Sequence, residues 1–401
     1  MERRKKRVQY RVAGGGRAST LRLRDQTQGK KRRNLSRFLP AVVIAAAVIV
    51  LLSIVLRFVS TERGRSAIGR VTRIGATVGQ NVAAFRDGVI FYDGATLRCV
   101  SATGGSTWSY QIGTNADYNI SGSRIVAWSG NDLYILNDRG RLLYNNKMTE
   151  EIQFAAVGEE YAAVFCGDED DGIVTVINSA GQTVDKITIT NLALQNIGFF
   201  KAVTSSSGVQ QTELMWILGL NTTGTVINME LQTYQPGRLS IGKTSLGEHI
   251  AYKVLDDGSG NLDVVTTREI QHYNYRGVST GSSSLIYGYT LHDSGRQGDT
   301  LYRLLIPEQE MNSSMRISAA RLMTGSMDRM LHLPVSCLDV RLGTRAVYGF
   351  SENAVYACRF GETNFESYAM PIQVTSVLDM MANNRVVVAS GNDIYIVELP
   401  M

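Results

Sequence analysis

Residues 237–244, GRLSIGKT, match G-x-x-x-x-G-K-[ST], the pattern of a P-loop that binds nucleotide phosphates. The fixed positions of this pattern are Gly237, Gly242, Lys243 and Thr244. A working P-loop needs a helix that begins at the Lys-Thr pair, so that backbone N–H groups point at the phosphates. Here Gly247 follows closely, and the stretch beyond it predicts a strand, an Asp-Gly turn and another strand. We therefore interpret the match as accidental and predict no nucleotide and no other cofactor.

Ser240 and Lys243 also fit S-x-x-K, a signature of serine acylases. That chemistry needs both side chains on one face of a helix, whereas Gly242 between them is expected in a turn. The accompanying S-D-N and K-T-G elements are missing from the sequence. The four histidines are scattered, and no H-E-x-x-H motif is present. These residues together predict that the protein is not an enzyme.

The densest group of candidate metal ligands is the run of four acids in CGDEDDG, residues 166–172. Clustered carboxylates can hold Ca²⁺ through their oxygens. The spacing does not fit the 12-residue calcium loop, because no glutamate stands at the closing position. We therefore predict a solvated hairpin between outer strands and no metal site. A metal site at Asp168, Asp170 and Asp171 is the weaker alternative.

The net charge of +5 is divided unevenly along the chain. Residues 1–60 hold 15 of the 41 Lys and Arg residues and 2 of the 36 Asp and Glu residues. This segment therefore carries +13 and the remainder −8. Since the basic surface does not belong to the large domain, we predict no binding of nucleic acid.

An uncharged run, LPAVVIAAAVIVLLSIVL, occupies residues 39–56. As a helix its 18 residues would span about 27 Å, close to the ~30 Å hydrocarbon core of a bilayer. The run is longer than the apolar region of a signal peptide, and no small-x-small cleavage site follows it. The sequence therefore predicts an uncleaved transmembrane helix over residues 38–59, with the lipid bilayer as its partner.

The flanking charges predict the orientation of this helix in the cell membrane. Residues 1–38 hold 14 Lys and Arg residues, whereas residues 57–73 hold five arginines. Because the more basic flank stays in the cytoplasm, residues 1–37 are expected to be a disordered cytoplasmic tail. Residues 60–70 would be a linker, and residues 71–401 an extracytoplasmic domain of a single-pass protein.

Self-similarity predicts the architecture of that domain. SGNDLYIL, residues 129–136, recurs as SGNDIYIV, residues 390–397. The offset of 261 residues equals six periods of 43.5, which is the length of a four-stranded propeller blade. Weaker copies of the same turn and alternating strand lie at residues 92–100, 170–177, 223–231, 258–266, 298–306 and 351–360. We predict an all-β, WD40-like β-propeller with eight blades, or seven if one weak copy is an insertion.

In the early copies the repeat strand is followed by a second glycine turn and another strand, at residues 101–113, 137–146 and 178–189. This run resembles the repeat of quinoprotein-like β-propellers. The whole layout resembles an uncharacterised family of bacterial membrane-anchored propeller proteins, in which a basic tail and one transmembrane helix precede the propeller. A quinone-dependent enzyme would need a Trp motif in almost every blade, and this chain has three tryptophans. The resemblance therefore implies the fold and not that enzyme activity.

The predicted propeller gives several of these segments an expected position in the fold. The ring should close by pairing residues 71–78 with the last blade, residues 372–400. The GRLSIGKT segment should be a hairpin between blades. The cysteines at positions 99, 166 and 358 lie in apolar runs and should be buried free thiols. Cys337 and Cys358, expected in neighbouring strands of one blade, are the pair that could form a disulfide.

The predicted function is a non-enzymatic scaffold that binds a protein or another cell-envelope component on one face of the ring. The segments HYNYRG and YGYT are the candidate contact surfaces, because tyrosine offers a large amphipathic area at low entropic cost. Their tyrosines are Tyr273, Tyr275, Tyr287 and Tyr289. Two alternatives remain at this point: a hydrolase or lyase with its site in the central channel, and a sensor that couples the propeller to the basic tail.

Overall fold

The computed structural model describes residues 68–204, 211–238, 240–281, 283–308 and 316–400. The predicted cytoplasmic tail, the transmembrane helix and most of the linker lie outside these residues. No helix in the described part is long and apolar enough to cross a membrane. The described residues form 32 strands in eight antiparallel sheets of four strands each, which confirms the predicted all-β class.

Blades 1 to 4 follow one another along the chain as up-and-down sheets. Blade 1 contains β2 (Val82–Phe85), β3 (Gly88–Tyr92), β4 (Thr96–Ser101) and β5 (Ser106–Gln111). Blade 2 contains β6 (Ala116–Ser121), β7 (Arg124–Ser129), β8 (Asp132–Asn137) and β9 (Leu142–Lys147). Blade 3 contains β10 (Ile152–Val157), β11 (Tyr161–Gly167), β12 (Gly172–Asn178) and β13 (Thr183–Ile189). Blade 4 contains β14 (Leu192–Val203), β15 (Gln211–Asn221), β16 (Met229–Tyr234) and β17 (Ser240–Gly247).

Blades 5 to 7 repeat the same order, and the fourth strand of blade 5 has only two residues. Blade 5 contains β18 (Ala251–Asp256), β19 (Asn261–Thr266), β20 (Glu269–Asn274) and β21 (Ser284–Leu285). Blade 6 contains β22 (Tyr289–Gln297), β23 (Thr300–Pro307), β24 (Ile317–Met323) and β25 (Asp328–Cys337). Blade 7 contains β26 (Asp339–Leu342), β27 (Ala346–Phe350), β28 (Ala354–Arg359) and β29 (Glu366–Ala369).

Blade 8 closes the ring with strands from both ends of the domain. It contains β30 (Ser376–Met381), β31 (Arg385–Ser390), β32 (Asp393–Glu398) and, as its fourth strand, β1 (Val71–Thr77). β1 runs antiparallel to β32, with Val71 opposite Val397 and Thr77 opposite Asp393. The predicted closure and the predicted count of eight blades are both confirmed, and the alternative of seven is excluded.

The repeat copies identify strands correctly, but not always the same strand of the blade. Six of the eight copies contain the third strand, as in β8 and β32 for the two SGND copies. The copies at residues 258–266 and 298–306 contain the second strands β19 and β23 instead. Both copies begin with a turn between the first and second strands, so the same turn-and-strand pattern marks two different places in a blade.

The core lies between neighbouring blades rather than inside any one sheet. Second strands such as β7 (RIVAWS) are buried at almost every residue, because a neighbouring blade covers each of their two faces. One interblade cluster joins Val126 and Leu133 of blade 2 to Ala162 and Val164 of blade 3. This shared burial explains why small sheets, none with an independent core, form a single folded unit.

The first strands line the centre of the ring, and several carry a bulge. The pairing of β10, β14, β18, β22 and β30 with the next strand is shifted by one residue near its start. After two of these bulges an aspartate bonds the next blade: Asp293 accepts the backbone N–H of Leu342 at 2.8 Å, and Asp379 accepts that of Ala84 at 2.8 Å. These carboxylates therefore join neighbouring blades near the channel.

Candidate protein-binding surfaces

The strand order divides the connections of the ring between two faces. We call the side where Ile68–Arg70 lead into β1 the proximal face; it carries the turns between first and second and between third and fourth strands. The distal face carries the turns between second and third strands and the connections from one blade to the next. A partner that binds one face therefore meets a different set of loops from a partner that binds the other.

The two faces differ in charge. The described connections of the proximal face hold seven acidic and seven basic residues, namely Asp87, Asp138, Glu159, Glu160, Asp257, Asp299, Glu362, Arg70, Arg86, Arg139, Arg141, Arg238, Arg276 and Arg345. Those of the distal face hold ten acidic and two basic residues, namely Asp93, Glu150, Glu151, Asp168, Glu169, Asp170, Asp171, Glu248, Glu308, Glu352, Arg268 and Arg316. The distal face is therefore strongly acidic; four of its ten acids lie in blade 3 and two more in the connection that leads into it.

The acidic run lies in the distal turn between β11 and β12, so the predicted hairpin joins the second and third strands of blade 3. Two of the three candidate metal ligands are held by protein donors: Asp171 Oδ1 accepts the N–H of Asn191 at 3.0 Å, and Asp170 Oδ2 accepts the Thr222 hydroxyl at 2.9 Å. Among the described residues, no group of three His, Cys, Asp or Glu side chains could hold a metal ion.

The P-loop residues lie within blade 4, and the prediction of a hairpin between blades is wrong. Gly237 has φ 73° in the turn between the third and fourth strands, and Lys243 and Thr244 lie in β17. Lys243 Nζ is 2.8 Å from Glu230 Oε2, and the Thr244 hydroxyl donates to the carbonyl of Gly277. The motif therefore lies in a turn and a strand, whereas a P-loop leads into a helix. Its lysine is already paired with a carboxylate of the neighbouring strand.

Two of the four candidate tyrosines are not available as a contact surface. Tyr273 in β20 is buried, and its hydroxyl donates to Gln271 Oε1 at 2.9 Å. Burial raises the pKa of this tyrosine. Tyr275 is half-buried against the cluster between blades 4 and 5, with the Arg276 guanidinium 5.3 Å from its ring centre. Both tyrosines therefore face the same apolar cluster between the blades.

The other two tyrosines belong to a surface patch around the distal connection from blade 5 to blade 6, where Tyr287 is exposed and Tyr289 is half-buried. Tyr287 is 80% exposed and Leu285 is 68% exposed. The Arg321 guanidinium lies 5.6 Å from the ring centre of Tyr289 and donates to the carbonyl of Leu285 at 3.0 Å. The Tyr289 hydroxyl is 3.6 Å from Met330 Sδ. We call these five residues the Tyr287 patch.

The face of blade 5 that packs on blade 6 holds a polar row that the sequence analysis missed. Buried Asp263 pairs with Arg303 of the next blade and, at 2.5 Å, with His272 Nδ1. His272 Nε2 is 3.4 Å from the Ser284 hydroxyl oxygen. Burial lowers the pKa of His272. The order Ser–His–Asp is that of a hydrolase triad, but the row lies on second to fourth strands and not at the central channel.

A nearby segment, GVSTG at residues 277–281, matches the nucleophile motif G-x-S-x-G, which the sequence analysis also missed. In the structure it belongs to the turn between β20 and β21, where the Ser279 hydroxyl is 3.5 Å from the carbonyl of Gly281. The motif requires a strand, a sharp turn and a helix, whereas a two-residue strand follows here. The match therefore lacks the geometry of a nucleophile elbow.

All four cysteines are free and buried, as predicted for those at positions 99, 166 and 358. Cys337 ends blade 6 and Cys358 lies in blade 7, so placing the two in one blade is wrong. They share an apolar cluster between those blades. Burial raises the pKa of Cys337 to about 12 and that of Cys358 to about 11, so both remain uncharged thiols at neutral pH.

Comparison with known proteins supports the fold and no finer assignment. No protein-family model and no curated protein matches the sequence. The crystal structure of the WD40 domain of SCAP from fission yeast aligns with a TM-score of 0.55 at 8% identity, over 82% of this chain and 98% of that chain. Sqt1 from Saccharomyces cerevisiae aligns with a TM-score of 0.52 at 10% identity, over 84% and 99%. The chain is a WD40-like, eight-bladed propeller; the resemblance to a bacterial membrane-anchored family stays a prediction.

Proposed function

We propose that this protein is a single-pass membrane protein with a cytoplasmic tail over residues 1–37, a transmembrane helix over 38–59 and an extracytoplasmic propeller. The propeller acts as a non-enzymatic scaffold that binds a protein of the cell envelope on its distal face. The charge pattern of residues 1–73 supports the membrane part of this proposal. Two kinds of reporter fusion test it. A reporter that works only after export should be active at the C-terminus and inactive at the N-terminus. A reporter that works only in the cytoplasm should show the opposite pattern.

The Tyr287 patch is the observation that carries the scaffold proposal. Tyrosine, methionine and arginine, the residue types of this patch, concentrate in the centres of protein interfaces. Arg321 is already fixed by Asp328, which it meets through two bonds of 2.8 and 2.6 Å. A partner would therefore find a preorganised surface and would lose little side-chain entropy at Arg321 on binding.

Crosslinked co-purification tests this proposal. The full-length protein and a fragment of residues 60–401 are isolated beside the variant Tyr287→Ser, with Val335→Ser as the matched control. Val335 is 43% exposed near the end of β25 and does not belong to the Tyr287 patch. We expect one partner to be captured by full-length protein, fragment and control, and to be lost or reduced in Tyr287→Ser. Capture by the full-length protein alone would move recognition to the tail or the helix and refute the proposal.

A hydrolase is the second candidate, and the Ser284–His272–Asp263 row is the observation that favours it. The Arg303 guanidinium engages the second oxygen of Asp263, and this ion pair is nearly inaccessible to solvent. Because this ion pair joins blades 5 and 6, a structural role accounts for Asp263 without catalysis. Ester hydrolysis that disappears in Ser284→Ala while the melting temperature is unchanged would favour the enzyme over the scaffold.

A further inference from the structure

A groove separates the outer strands of blades 2 and 3. Its cavity has a volume of about 160 Å³ and lies between β9 with its following connection and the strands β12 and β13. Met148, Ile173 and Ile177 supply its apolar surface, between polar residues such as Thr175 and Thr183. Ile173 is 41% exposed at the start of β12, beside the acidic distal turn. A cavity of this size accommodates one aromatic or branched aliphatic side chain.

A second, wider cavity of about 680 Å³ adjoins the groove on the distal face. Glu150 and Ile173 line both cavities, so the two are continuous. Asp168, Asp171 and Glu151 also line the second cavity, and no described Lys or Arg does so. A positively charged side chain placed there would meet several carboxylates without displacing a cation of this protein.

Two lysines also line the groove. Lys147 of β9 and Lys186 of β13 line the smaller cavity together with Glu150. A bound segment would therefore meet both lysines and a carboxylate at the smaller cavity, and carboxylates without lysine at the wider one. A small apolar molecule would use the cavity alone and would gain nothing from this charge arrangement, so the groove fits a polypeptide better.

We propose that the groove binds an extended segment of a partner protein, which seats one large apolar side chain beside Ile173 and a neighbouring Lys or Arg against Glu150 and Asp168. The apolar side chain supplies most of the affinity, because its surface leaves water. The basic side chain selects the segment and speeds its association. This inference rests on the proposed scaffold function and adds a binding site that is separate from the Tyr287 patch.

The test is a selection of phage-displayed random linear peptides on full-length protein in detergent, followed by measurement of the best peptide by fluorescence anisotropy. We expect the selected peptides to combine an aromatic or branched aliphatic residue with a neighbouring Lys or Arg. Ile173→Ser, and separately Glu150→Gln with Asp168→Asn, should each weaken binding about tenfold. Raising the salt concentration should weaken binding to the wild type and have little effect on the charge variant.

Two matched controls are available. Glu169→Gln changes an acid of the same turn that lines neither cavity, and Val335→Ser changes a comparably exposed strand residue of blade 6. Both should bind the peptide as the wild type does, and all variants should melt at the wild-type temperature. Because the charge variant replaces only solvent-facing carboxylates, it remains informative if Ile173→Ser disturbs the strand.

The outcomes separate this inference from the scaffold proposal. Peptides that bind the groove variants as well as the wild type, but not Tyr287→Ser, would overturn the groove and support the Tyr287 patch. Selected peptides without the apolar and basic pair, or no selected peptides, would also overturn the groove. The scaffold proposal would then still be decided by the co-purification experiment, which does not depend on the groove.

Discussion

The proximal and distal faces of the ring are both built from connections between strands, but they use charged residues differently. On the proximal face, acidic side chains are drawn into the structure: Glu213 accepts the backbone N–H groups of Glu159, Glu160 and Tyr161 at 2.6, 2.7 and 3.0 Å. On the distal face, most of the acids of blade 3 point to solvent. The difference indicates that Glu213 is used to hold blades 3 and 4 together on the proximal face, whereas several acids of the distal face are available for contacts with a partner.

The largest predicted effect, which tests the contrast between the two faces most directly, concerns Glu213. Glu213→Ala should cost about 4 kcal/mol, because three partly buried N–H groups lose their acceptor. It would also remove the negative charge that acts on Arg124, which is 4% exposed and whose Nε and Nη2 have no hydrogen-bond partner among the described residues. Urea unfolding of the purified protein measures the loss. Glu151→Ala on the distal face is the control and should change stability by less than about 0.5 kcal/mol; similar losses in both variants would contradict the contrast.

Two glycines, one on each face, test the contrast between the faces at the level of backbone packing. Gly140 on the proximal face and Gly130 on the distal face have similar positive φ values, 68° and 56°. A Cβ on Gly140 would lie 2.4 Å from the Trp108 ring, whereas one on Gly130 meets nothing within 4 Å. Gly140→Ala should therefore cost about 3 kcal/mol and Gly130→Ala about 1 kcal/mol, the second from conformational strain alone.

Thermal unfolding of these two variants under identical conditions checks the prediction. Both substitutions introduce the same left-handed strain, so their difference isolates the packing around Trp108, whose indole N–H also donates to the carbonyl of Asp138 at 3.1 Å. Equal melting temperatures would mean that the proximal turn can move away from Trp108 without cost.

The sequence predicted the ring but not its faces, and the reason is physical. The turn residues in DDGSG, residues 256–260, and in DDGI, residues 170–173, are nearly the same, because Asp and Gly favour tight turns on either face. The first turn is proximal and the second distal. Local sequence therefore cannot assign a turn to a face until the strand order is known. The split of the candidate tyrosines has the same origin, since Tyr275 begins a proximal connection and Tyr287 lies in a distal one.

Closure and blade number could be predicted because they depend on the long-range period. SGNDLYIL and SGNDIYIV occupy equivalent third strands six blades apart, so their separation counts blades directly. The pairs between blades, such as Asp263 with Arg303 and Glu213 with the turn at 158–161, leave no such signal. They join residues 40 and about 50 positions apart whose spacing follows no period. The groove between blades 2 and 3 was missed for the same reason.

The pH dependence of stability should also distinguish the faces. Burial raises the pKa of Glu213 on the proximal face. A carboxyl whose folded-state pKa is raised contributes stability below its unfolded pKa of about 4.3, and this contribution is lost as pH rises through the folded pKa. Glu213→Gln keeps an acceptor oxygen and has no proton to lose.

The stability advantage of the wild type over Glu213→Gln should therefore shrink as pH rises from about 4 towards neutrality. Unfolding free energies measured for both proteins across this range check the sign. Glu151→Gln, a solvent-facing distal substitution, should run parallel to the wild type throughout. If the stability advantage of the wild type instead grew with pH, the three N–H bonds would stabilise the charged form of Glu213 by more than its burial destabilises it.

The smallest expected effect concerns Lys243, the cation of the P-loop match. Its side chain is 61% exposed, and its partner Glu230 also accepts from Asn221 at 2.6 Å and Gln232 at 3.1 Å. Lys243→Ala should therefore cost about 1 kcal/mol or less. Millimolar Mg·ATP should leave the melting temperatures of wild type and variant unchanged, since a ligand stabilises a protein only in proportion to its binding to the folded state. A rise in the melting temperature of the wild type that Lys243→Ala abolishes would show that β17 binds phosphate. It would make a functional site of a strand that we regard as structural.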